Sequence, residues 1–297
     1  MKPRFAIFGN EYQIHKSAAI EQVLHSLKRR QAEVYVDKAF YDFLTSERKL
    51  CIHVDGVFED NSFDADYVIS MGGDGTFLKA AMRVGAKLIP IIGVNTGRLG
   101  FLADVLPDGF DDALEAICKG DYTIEEHTAL QIETDGEHIA GNPFALNDVA
   151  VLKRDNASMI SIHTSVNGEH LITYQADGLI ISTPTGSTAY SLSNGGPIII
   201  PHTGIFCLTP VAPHSLNIRP VVIDDNSIVR LRIESRSHNY LAAIDGRSER
   251  LSDSTTVTVS KAPFHIRIVK RKGQKAFASL REKMMWGADN REGMKED

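Results

Sequence analysis

Cysteine is scarce in this chain of 297 residues, and its three copies, Cys51, Cys118 and Cys207, are far apart. They match no metal-ligand spacing and cannot all pair in disulfides, which favours a reducing, cytoplasmic compartment. Long hydrophobic runs are also lacking, because no stretch approaches the ~20 apolar residues that span a bilayer. The N-terminus has no apolar segment typical of a signal peptide, and Arg4–Gly9 instead predicts a first strand.

An excess of positive charge is absent as well. Lysine and arginine number 32 against 38 aspartates and glutamates, which gives a formal net charge of −6, and no long basic run occurs. Short basic runs such as Lys28–Arg30 and Lys270–Lys272 are typical of solvated faces or of the ends of elements. Partners such as nucleic acid or an anionic membrane surface are therefore not expected.

Two familiar phosphate-binding signatures are missing. The chain has no Gly-x-x-x-x-Gly-Lys-Ser/Thr motif, which argues against a P-loop NTPase, and no Gly-x-Gly-x-x-Gly follows the first predicted strand. What the chain does have is enough length for about two domains, each with its own core.

The first part of the chain alternates strands and helices, which predicts a parallel sheet with right-handed crossovers. The predicted elements are strands at Phe5–Phe8, Glu33–Asp37, Tyr67–Met71 and Leu88–Val94, and helices at Ser17–Gln31 and Phe110–Cys118. Ligands of such sheets bind beyond the carboxyl ends of the strands. We therefore expect a Rossmann-like α/β domain over residues 1–122, with binding loops after the third and fourth strands.

From about Thr123 the pattern becomes rich in short β-runs separated by turns. Ala129–Thr134 alternates apolar and polar residues, and the Asp135-Gly136 dipeptide after it predicts a two-residue hairpin turn. Further strands are predicted at Ala145–Leu152, Ser158–Val166, Leu179–Ser182, Val221–Ile223, Ile228–Ile233, Tyr240–Ile244 and Thr255–Ser260. The pattern predicts an all-β domain, an antiparallel sandwich, over residues 123–265. In the C-terminal segment, 266–297, a helix at Ala276–Trp286 is expected to pack back on the α/β domain.

The most informative stretch is Val68–Leu78, where an apolar run stops at Gly72-Gly73 and a helical pattern begins after Asp74 and Gly75. Bare glycines let the backbone approach a ligand, and the N–H groups at a helix start bind anions. A carboxylate inside a phosphate cradle would repel the phosphate unless it holds a metal ion or takes a proton from an attacking hydroxyl. The motif therefore indicates phosphoryl transfer, although Asp-Gly and Gly-Gly are also common turn dipeptides.

Three further stretches combine polar side chains with interruptions of a strand. Thr183–Ser191 is a hydroxyl-rich loop that can bind phosphate, sugar or an adenine edge, or can equally cap local helical turns. Asn147-Asp148 places an amide beside a carboxylate within an apolar strand, and a β-bulge is the structural alternative. Asp245-Gly246 closes another apolar strand and, taken alone, is typical of a hairpin.

Together, these stretches resemble bacterial NAD kinases. The glycine-aspartate loop is shared with diacylglycerol and sphingosine kinases and with phosphofructokinases, whereas the Thr183–Ser191 loop is far more specific to NAD kinases. The resemblance runs from the first strand to the last helix. It implies an N-terminal α/β domain, a C-terminal all-β domain and a last helix that returns to the first domain.

The resemblance also implies a reaction, in which ATP phosphorylates the 2′-hydroxyl of the adenosine ribose of NAD to give NADP. Mg²⁺ or another divalent metal would assist on the donor phosphates, with no protein residue assigned as a metal ligand. Asp74 would orient and deprotonate the attacking hydroxyl. The enzyme would be a homo-dimer or homo-tetramer formed through the β domain, with Asp245 approaching the site from a neighbouring subunit.

The nucleotide-binding positions implied by the resemblance extend over both predicted domains. They are Gly72, Gly73, Asp74, Gly75, Lys79, Asn147, Asp148, Gln175, Asp177, Thr185, Thr188, Ala189, Tyr190, Ser191, Leu192, Ser193, Ala212, Asp245 and Arg247. Lys79 fits a solvated helix face equally well. Gln175 stands where many relatives carry a basic residue, and Arg247 stands where many carry glutamine, which leaves affinity and donor preference open.

Two other functions fit parts of the pattern. A lipid kinase of the diacylglycerol type shares the glycine-aspartate loop, but the acidic net charge disfavours the membrane-facing surface it needs. A non-catalytic dinucleotide sensor is the second, although a pure binder gains nothing from Asp74 beside a phosphate.

Overall fold

The computed structural model describes residues 2–10, 17–97, 100–154, 158–273 and 276–284, which form two compact units. The α/β unit takes in the described parts of Met1–Arg83, Ile89–Glu125 and Arg267–Asp297. The β unit takes in Val84–Leu88 and the described parts of Glu126–Ile266. None of the helices within these ranges is long and apolar enough to cross a lipid bilayer.

The α/β unit is built on a parallel sheet. Its strands are β1 (Arg4–Gly9), β2 (Glu33–Asp37), β3 (Gly56–Phe58), β4 (Tyr67–Gly72) and β5 (Ile91–Asn95). They lie in the order β3-β2-β1-β4-β5, and each neighbouring pair is parallel. The order reverses at β1 and β4, the kind of switch point beyond which open α/β sheets bind ligands.

Helices bury apolar stripes against this sheet. They are α1 (Ser17–Arg29), α2 (Lys38–Asp42, continued by a π-turn over Phe43–Glu47), α3 (Asp74–Val84) and α4 (Phe110–Lys119). On α1, Ile20, Val23 and Leu27 recur on one face and are buried in the core of the unit. On α3, Phe77 and Ala80 are fully buried, which fixes the start of that helix beside the end of β4.

The β unit consists of antiparallel strands, the first and last of which also include residues of the α/β unit, 122–125 and 267–271. They are β6 (Tyr122–Thr134), β7 (Phe144–Ala145), β8 (Asp148–Lys153), β9 (Ile160–Val166), β10 (Glu169–Ala176), β11 (Gly178–Ser182), β12 (Ile205–Val211), β13 (Val221–Asp224), β14 (Val229–Glu234), β15 (Asn239–Ile244), β16 (Arg247–Ser252) and β17 (Val257–Arg271). One sheet has the order β13-β12-β11-β8-β15-β16, and the first part of β17 continues the other, β10-β9-β14. Alternate residues of the two sheets share one core, with Val149 and Ile181 from the first and Ile162 from the second.

Two short helical elements and a last helix complete the fold. A 3₁₀ turn at Thr185–Thr188 leads into α5 (Tyr190–Ser193) in the β unit. The far end of β17 pairs in parallel with β5 through Ile268 and Ile91. The last helix, α6 (Ala276–Met284), buries Leu280 in the α/β unit.

The predicted fold class, a parallel α/β part and an antiparallel all-β part, is confirmed. Most predicted elements are present with ends shifted by one to three residues. The strand predicted from Leu88 begins only at Ile91, because Leu88 has a left-handed backbone with φ of 58°. The strand predicted at Thr255–Ser260 is part of the much longer β17. Trp286 and the polar tail lie outside the described residues.

The predicted two-residue hairpin at Asp135-Gly136 is wrong. The strands β6 and β7 pair, but the nine residues 135–143 join them. A two-residue turn of the favoured type requires positive φ at both positions, and neither Asp135 nor Gly136 has it. The Asp135 carboxylate instead accepts the backbone N–H of Thr256 at 2.7 Å, which fastens the loop to the start of β17.

Candidate functional site

The glycine-aspartate loop joins β4 to α3. Gly72 ends the strand, and a Cβ there would lie 2.2 Å from Thr76 Oγ1, so only glycine fits. Gly73 and Gly75 face open space, where nothing lies within 4 Å of an added Cβ. The Gly73 carbonyl accepts the N–H of Phe77 at 3.1 Å, which closes the first turn of the helix. The open side of Gly73 and Gly75 allows a ligand to approach the backbone closely.

The Asp74 carboxylate accepts three consecutive backbone N–H groups. Oδ2 accepts from Phe101 at 2.8 Å, and Oδ1 accepts from Leu102 and Ala103, each at 3.0 Å. Gly100 packs against this carboxylate, because a Cβ there would lie 2.0 Å from Oδ1. A carboxylate has about four lone-pair directions. Described residues occupy three of these directions, so the orientation of Asp74 is fixed and about one acceptor position is left over among these contacts.

The N–H donors come from the segment after β5, which Asn95 stabilises. Asn95 is buried, its Nδ2 donates to the Ala103 carbonyl at 3.1 Å, and its Oδ1 accepts from Gly97 N at 2.6 Å. The sequence placed this loop at a strand end but did not reveal that Phe101–Ala103 bind Asp74. Gly100 was the only local signal. The predicted ligand residue Lys79 is exposed on α3.

Asn147 and Asp148 lie at the bend between β7 and β8, where a second carboxylate binds three consecutive N–H groups. Asp245 Oδ2 accepts from Leu146 at 2.8 Å, and Oδ1 accepts from Asn147 at 2.8 Å and Asp148 at 3.1 Å. The Asp245 N–H in turn donates to the Asp148 carbonyl at 3.0 Å. The structure thus joins three of the predicted site residues, Asn147, Asp148 and Asp245, in one hydrogen-bonded group.

The hydroxyl-rich loop packs on the same bend. Thr183 is buried, and its Oγ1 donates to the Leu146 carbonyl at 2.6 Å and accepts from Gly186 N at 3.1 Å. Its backbone N–H donates to the Asn147 carbonyl at 2.9 Å. A Cβ on Gly186 would lie 1.9 Å from that same carbonyl oxygen. The glycine in this loop therefore serves close packing of two backbones.

The remaining predicted residues of the loop differ in what they offer a ligand. Thr185 Oγ1 is 2.8 Å from His127 Nδ1, and Thr188 Oγ1 donates to the Thr185 carbonyl at 3.4 Å. Ser191 is fully buried, and its hydroxyl bonds Thr209 Oγ1 at 2.9 Å, which indicates a packing role. The more accessible members of the loop are Thr185, Thr188, Ala189, Tyr190, Leu192 and Ser193, of which Tyr190 and Ser193 are exposed. His127 was missed by the sequence analysis, because a lone histidine on a strand carries no spacing signal.

Four other predicted positions belong to the β unit. Asp177 pairs with Lys153 Nζ at 2.7 Å, with both side chains partly exposed. Gln175 is exposed on β10, hydrogen-bonds Ser161 at 2.8 Å and lines a cavity of about 770 Å³. Ala212 is exposed with φ of 43°, an unusual conformation for a residue with a Cβ. Arg247 donates to the Asn142 carbonyl.

Burial raises the pKa values of the two acidic side chains at the bend, Asp148 and Asp245. Desolvation, reinforced by the nearby Asp245 charge, raises the pKa of Asp148 to about 7. Desolvation also raises the pKa of Asp245, while its three backbone hydrogen bonds and Arg247 oppose that rise. Asp148 therefore titrates near neutral pH in the folded chain.

The comparisons with known proteins cover both units. A model described as the ATP-NAD kinase N-terminal domain matches residues 5–122, and the ATP-NAD kinase C-terminal domain matches 146–271. The chain belongs to the NAD kinase family. The NAD kinase of Bacteroides fragilis is 56% identical over 97% of this chain and 99% of its own length. That of Porphyromonas gingivalis is 41% identical over 96% and 98%.

Solved structures agree with this assignment. An NAD kinase from Archaeoglobus fulgidus in complex with ATP is 26% identical, with a TM-score of 0.73, and 95% of this chain and 98% of that chain are covered. A yeast NADH kinase complexed with NADH shares the fold with a TM-score of 0.87 at 20% identity, and 97% of this chain and 89% of that chain are covered. The comparisons support neither a lipid kinase nor a non-catalytic sensor. The roles of individual residues remain predictions.

Proposed function

We propose that this chain uses ATP to phosphorylate the 2′-hydroxyl of the adenosine ribose of NAD, giving ADP and NADP. The observation that carries this proposal is the geometry of Asp74, which three backbone N–H groups orient at the start of α3. Its remaining acceptor position can take the hydrogen bond of a hydroxyl. Family membership supplies the nature of the two substrates.

In the proposed reaction, the ribose hydroxyl donates its hydrogen bond to Asp74 and passes its proton to the carboxylate as it attacks. The new bond joins the ribose oxygen to the γ-phosphorus, and the bond to the bridging oxygen of ADP breaks. A hydroxyl is a poor nucleophile until its proton has an acceptor. Phosphoryl transfer otherwise depends on positioning and on neutralising charge.

The glycines beside Asp74 would admit the phosphates of ATP. Gly73 and Gly75 have no neighbour within 4 Å of an added Cβ, so the backbone there is open to close approach. Mg²⁺ would arrive as part of the MgATP substrate. Because Asp74 already accepts three N–H groups, this loop does not offer the several free carboxylate oxygens of a protein-held magnesium site.

The β unit would bind the acceptor NAD through the bend at Asn147 and Asp148 and through the loop at Thr185–Ser193. The Asn147 amide is suited to an adenine edge, and the Asp148 carboxylate is suited to a ribose diol. We further propose that the protein works in the cytoplasm as a dimer or tetramer. Sedimentation of the purified chain tests the oligomeric state.

The test is NADP formation from NAD, ATP and Mg²⁺ by the wild type and by Asp74→Asn. We expect turnover in the wild type and a fall in kcat of ~10²-fold or more in the variant, since the general base is lost. Asp121→Asn is the matched control, because Asp121 is an exposed carboxylate of the same unit that pairs with Lys272. Full turnover by Asp74→Asn would show that Asp74 is not the general base. If the wild type bound NAD without turnover, the proposed reaction would be contradicted.

A further inference from the structure

Asp245 lies in a two-residue hairpin turn. Asp245 and Gly246 join β15 to β16, and both have positive φ, 48° and 80°. These values are typical of the two-residue turn that matches the twist of a hairpin, for which Asp-Gly is a preferred sequence. The turn conformation is thus explained by the backbone alone, which leaves the destination of the Asp245 side chain as a separate feature.

That side chain is used within its own chain. Its two oxygens accept the N–H groups of Leu146, Asn147 and Asp148 at 2.8, 2.8 and 3.1 Å. Three of its roughly four lone-pair directions are therefore occupied by one short segment. Hydrogen bonds from backbone N–H groups to a carboxylate are among the stronger ones in proteins.

The segment Leu146–Asp148 is fixed from its other side by the hydroxyl-rich loop. Thr183 binds the carbonyls of Leu146 and Asn147, and Gly186 packs directly on the Asn147 carbonyl. Asp245 thus accepts hydrogen bonds from the N–H groups of the segment, while Thr183 donates to the carbonyls of Leu146 and Asn147. The direction in which the Asn147 side chain leaves the segment depends on both.

We propose that Asp245 is a positioning residue, which holds Leu146–Asp148 of its own chain in the conformation that binds the adenosine part of NAD. This inference rests on the proposed function. It assigns Asp245 a role within its own subunit, in place of the expected contact with a nucleotide bound to a neighbouring subunit.

The first test is direct binding of NAD to Asp245→Asn, measured by calorimetry without turnover. Asparagine tolerates positive φ and keeps one acceptor oxygen, so the turn is retained while at least one of the three N–H groups loses its partner. We expect the Kd for NAD to rise by ~10-fold or more, because a charge-assisted bond that holds the binding segment is removed. A Kd within about twofold of the wild type would overturn the proposal.

Asp135→Asn is the matched control. Asp135 also precedes a glycine in the β unit and also accepts a backbone N–H, that of Thr256 at 2.7 Å, but it lies on a different loop. We expect its NAD affinity to match the wild type. An equal loss in both variants would mean that any carboxylate-to-amide change loosens the unit, which would contradict a specific role for Asp245.

The second readout is the pH dependence of NAD binding. The charged groups acting on the pair at the bend are Asp148, Asp245 and Arg247. Because the Asp148 carboxylate is proposed to bind the ribose, NAD affinity should change with pH as Asp148 titrates near pH 7. The Asp245 charge contributes to that raised pKa, so Asp245→Asn should move the midpoint of the pH dependence to lower pH. Asp135→Asn should leave it in place. An unmoved titration in Asp245→Asn would contradict the electrostatic link.

Mixed oligomers separate a role within the subunit from one across subunits. Chains carrying Asp74→Asn and chains carrying Asp245→Asn are co-expressed with different tags and purified through both. If Asp245 acted across an interface, an intact Asp74 and an intact Asp245 would meet in some sites and activity would return. We expect no recovery beyond the sum of the parent variants at subsaturating NAD, and recovery would overturn the proposal.

The wild type provides a test that no variant can confound. Amide hydrogen exchange at Leu146, Asn147 and Asp148 should be slow, since all three N–H groups are bonded to Asp245. Exchange at the rate of open loops would overturn the proposal. Because exchange and NAD binding require no phosphoryl transfer, a failure of the kinase reaction would be recognised separately.

Discussion

Two aspartates in this protein make nearly the same set of bonds in two different units. Asp74 in the α/β unit accepts the N–H groups of Phe101–Ala103, and Asp245 in the β unit accepts those of Leu146–Asp148. The surroundings differ: Asp74 lies between two glycines open to a ligand, whereas Asp245 lies beside a second carboxylate of raised pKa. In the roles that we propose, the same bonding pattern orients Asp74 for chemistry and makes Asp245 a support for its neighbours.

The largest effect is expected from crowding Asp74 without changing it. A Cβ in Gly100→Ala would lie 2.0 Å from Asp74 Oδ1, so the carboxylate must move out of the position in which it accepts the three N–H groups. We expect kcat to fall by ~10²-fold, close to the loss in Asp74→Asn. Initial-rate kinetics measure this.

Gly109→Ala is the control for Gly100→Ala, since an added Cβ there meets the guanidinium end of Arg271 at 2.7 Å, which can move. We expect wild-type kcat for the control. Wild-type kcat in Gly100→Ala would mean that the orientation of Asp74 is unimportant for the reaction. The proposed difference between Asp74 and Asp245 would then be wrong.

A smaller effect, on the pH dependence of stability, is expected from Asp148, the carboxylate beside Asp245. The pKa of Asp148 is raised to about 7 in the folded chain, so the folded state binds a proton that the unfolded state releases near pH 4. The free energy of unfolding therefore decreases as the pH rises from about 4 to 7, because over this range the unfolded state has released the proton that the folded state still binds at Asp148. Between pH 5 and 8 the wild type should lose on the order of 2 kcal/mol relative to Asp148→Asn. Urea unfolding at both pH values checks this, and equal losses would refute the shift.

The smallest effect on stability is expected for a carboxylate that, among the described residues, pairs with a side chain alone. Asp177 pairs with Lys153 at 2.7 Å, with both side chains partly exposed. Lys153→Met should lower the free energy of unfolding by less than ~1 kcal/mol, because such pairs contribute little in water. If Lys153→Met lost several kcal/mol in thermal or urea unfolding, a carboxylate with a side-chain partner would be as important as one with backbone partners. Bonding to backbone N–H groups would then not distinguish Asp74 and Asp245 from Asp177.

The fold class was predicted correctly, because strand periodicity and glycine turns are local signals. The two regions of the candidate site were proposed from local motifs, the glycine-aspartate loop and the hydroxyl-rich loop, and they stay predictions. The sequence did not predict the partners of Asp74 and Asp245. Those partners are backbone N–H groups, 27 to 29 residues away for Asp74 and 97 to 99 residues away for Asp245, and no residue type encodes them. The error at Asp135-Gly136 has a different origin: Asp-Gly is common in turns of several kinds, and neither residue here has the positive φ that Asp245 and Gly246 have in a two-residue hairpin.

The most direct measurement of the contrast is a side-by-side determination of kcat and of the NAD Kd for the wild type, Asp74→Asn and Asp245→Asn. We predict that Asp74→Asn loses ~10²-fold or more in kcat with a nearly unchanged Kd. For Asp245→Asn we predict a loss of ~10-fold or more in NAD affinity, with kcat changed far less. If both variants lost kcat equally and bound NAD equally well, the two aspartates would share one role, and the distinction between them would be wrong.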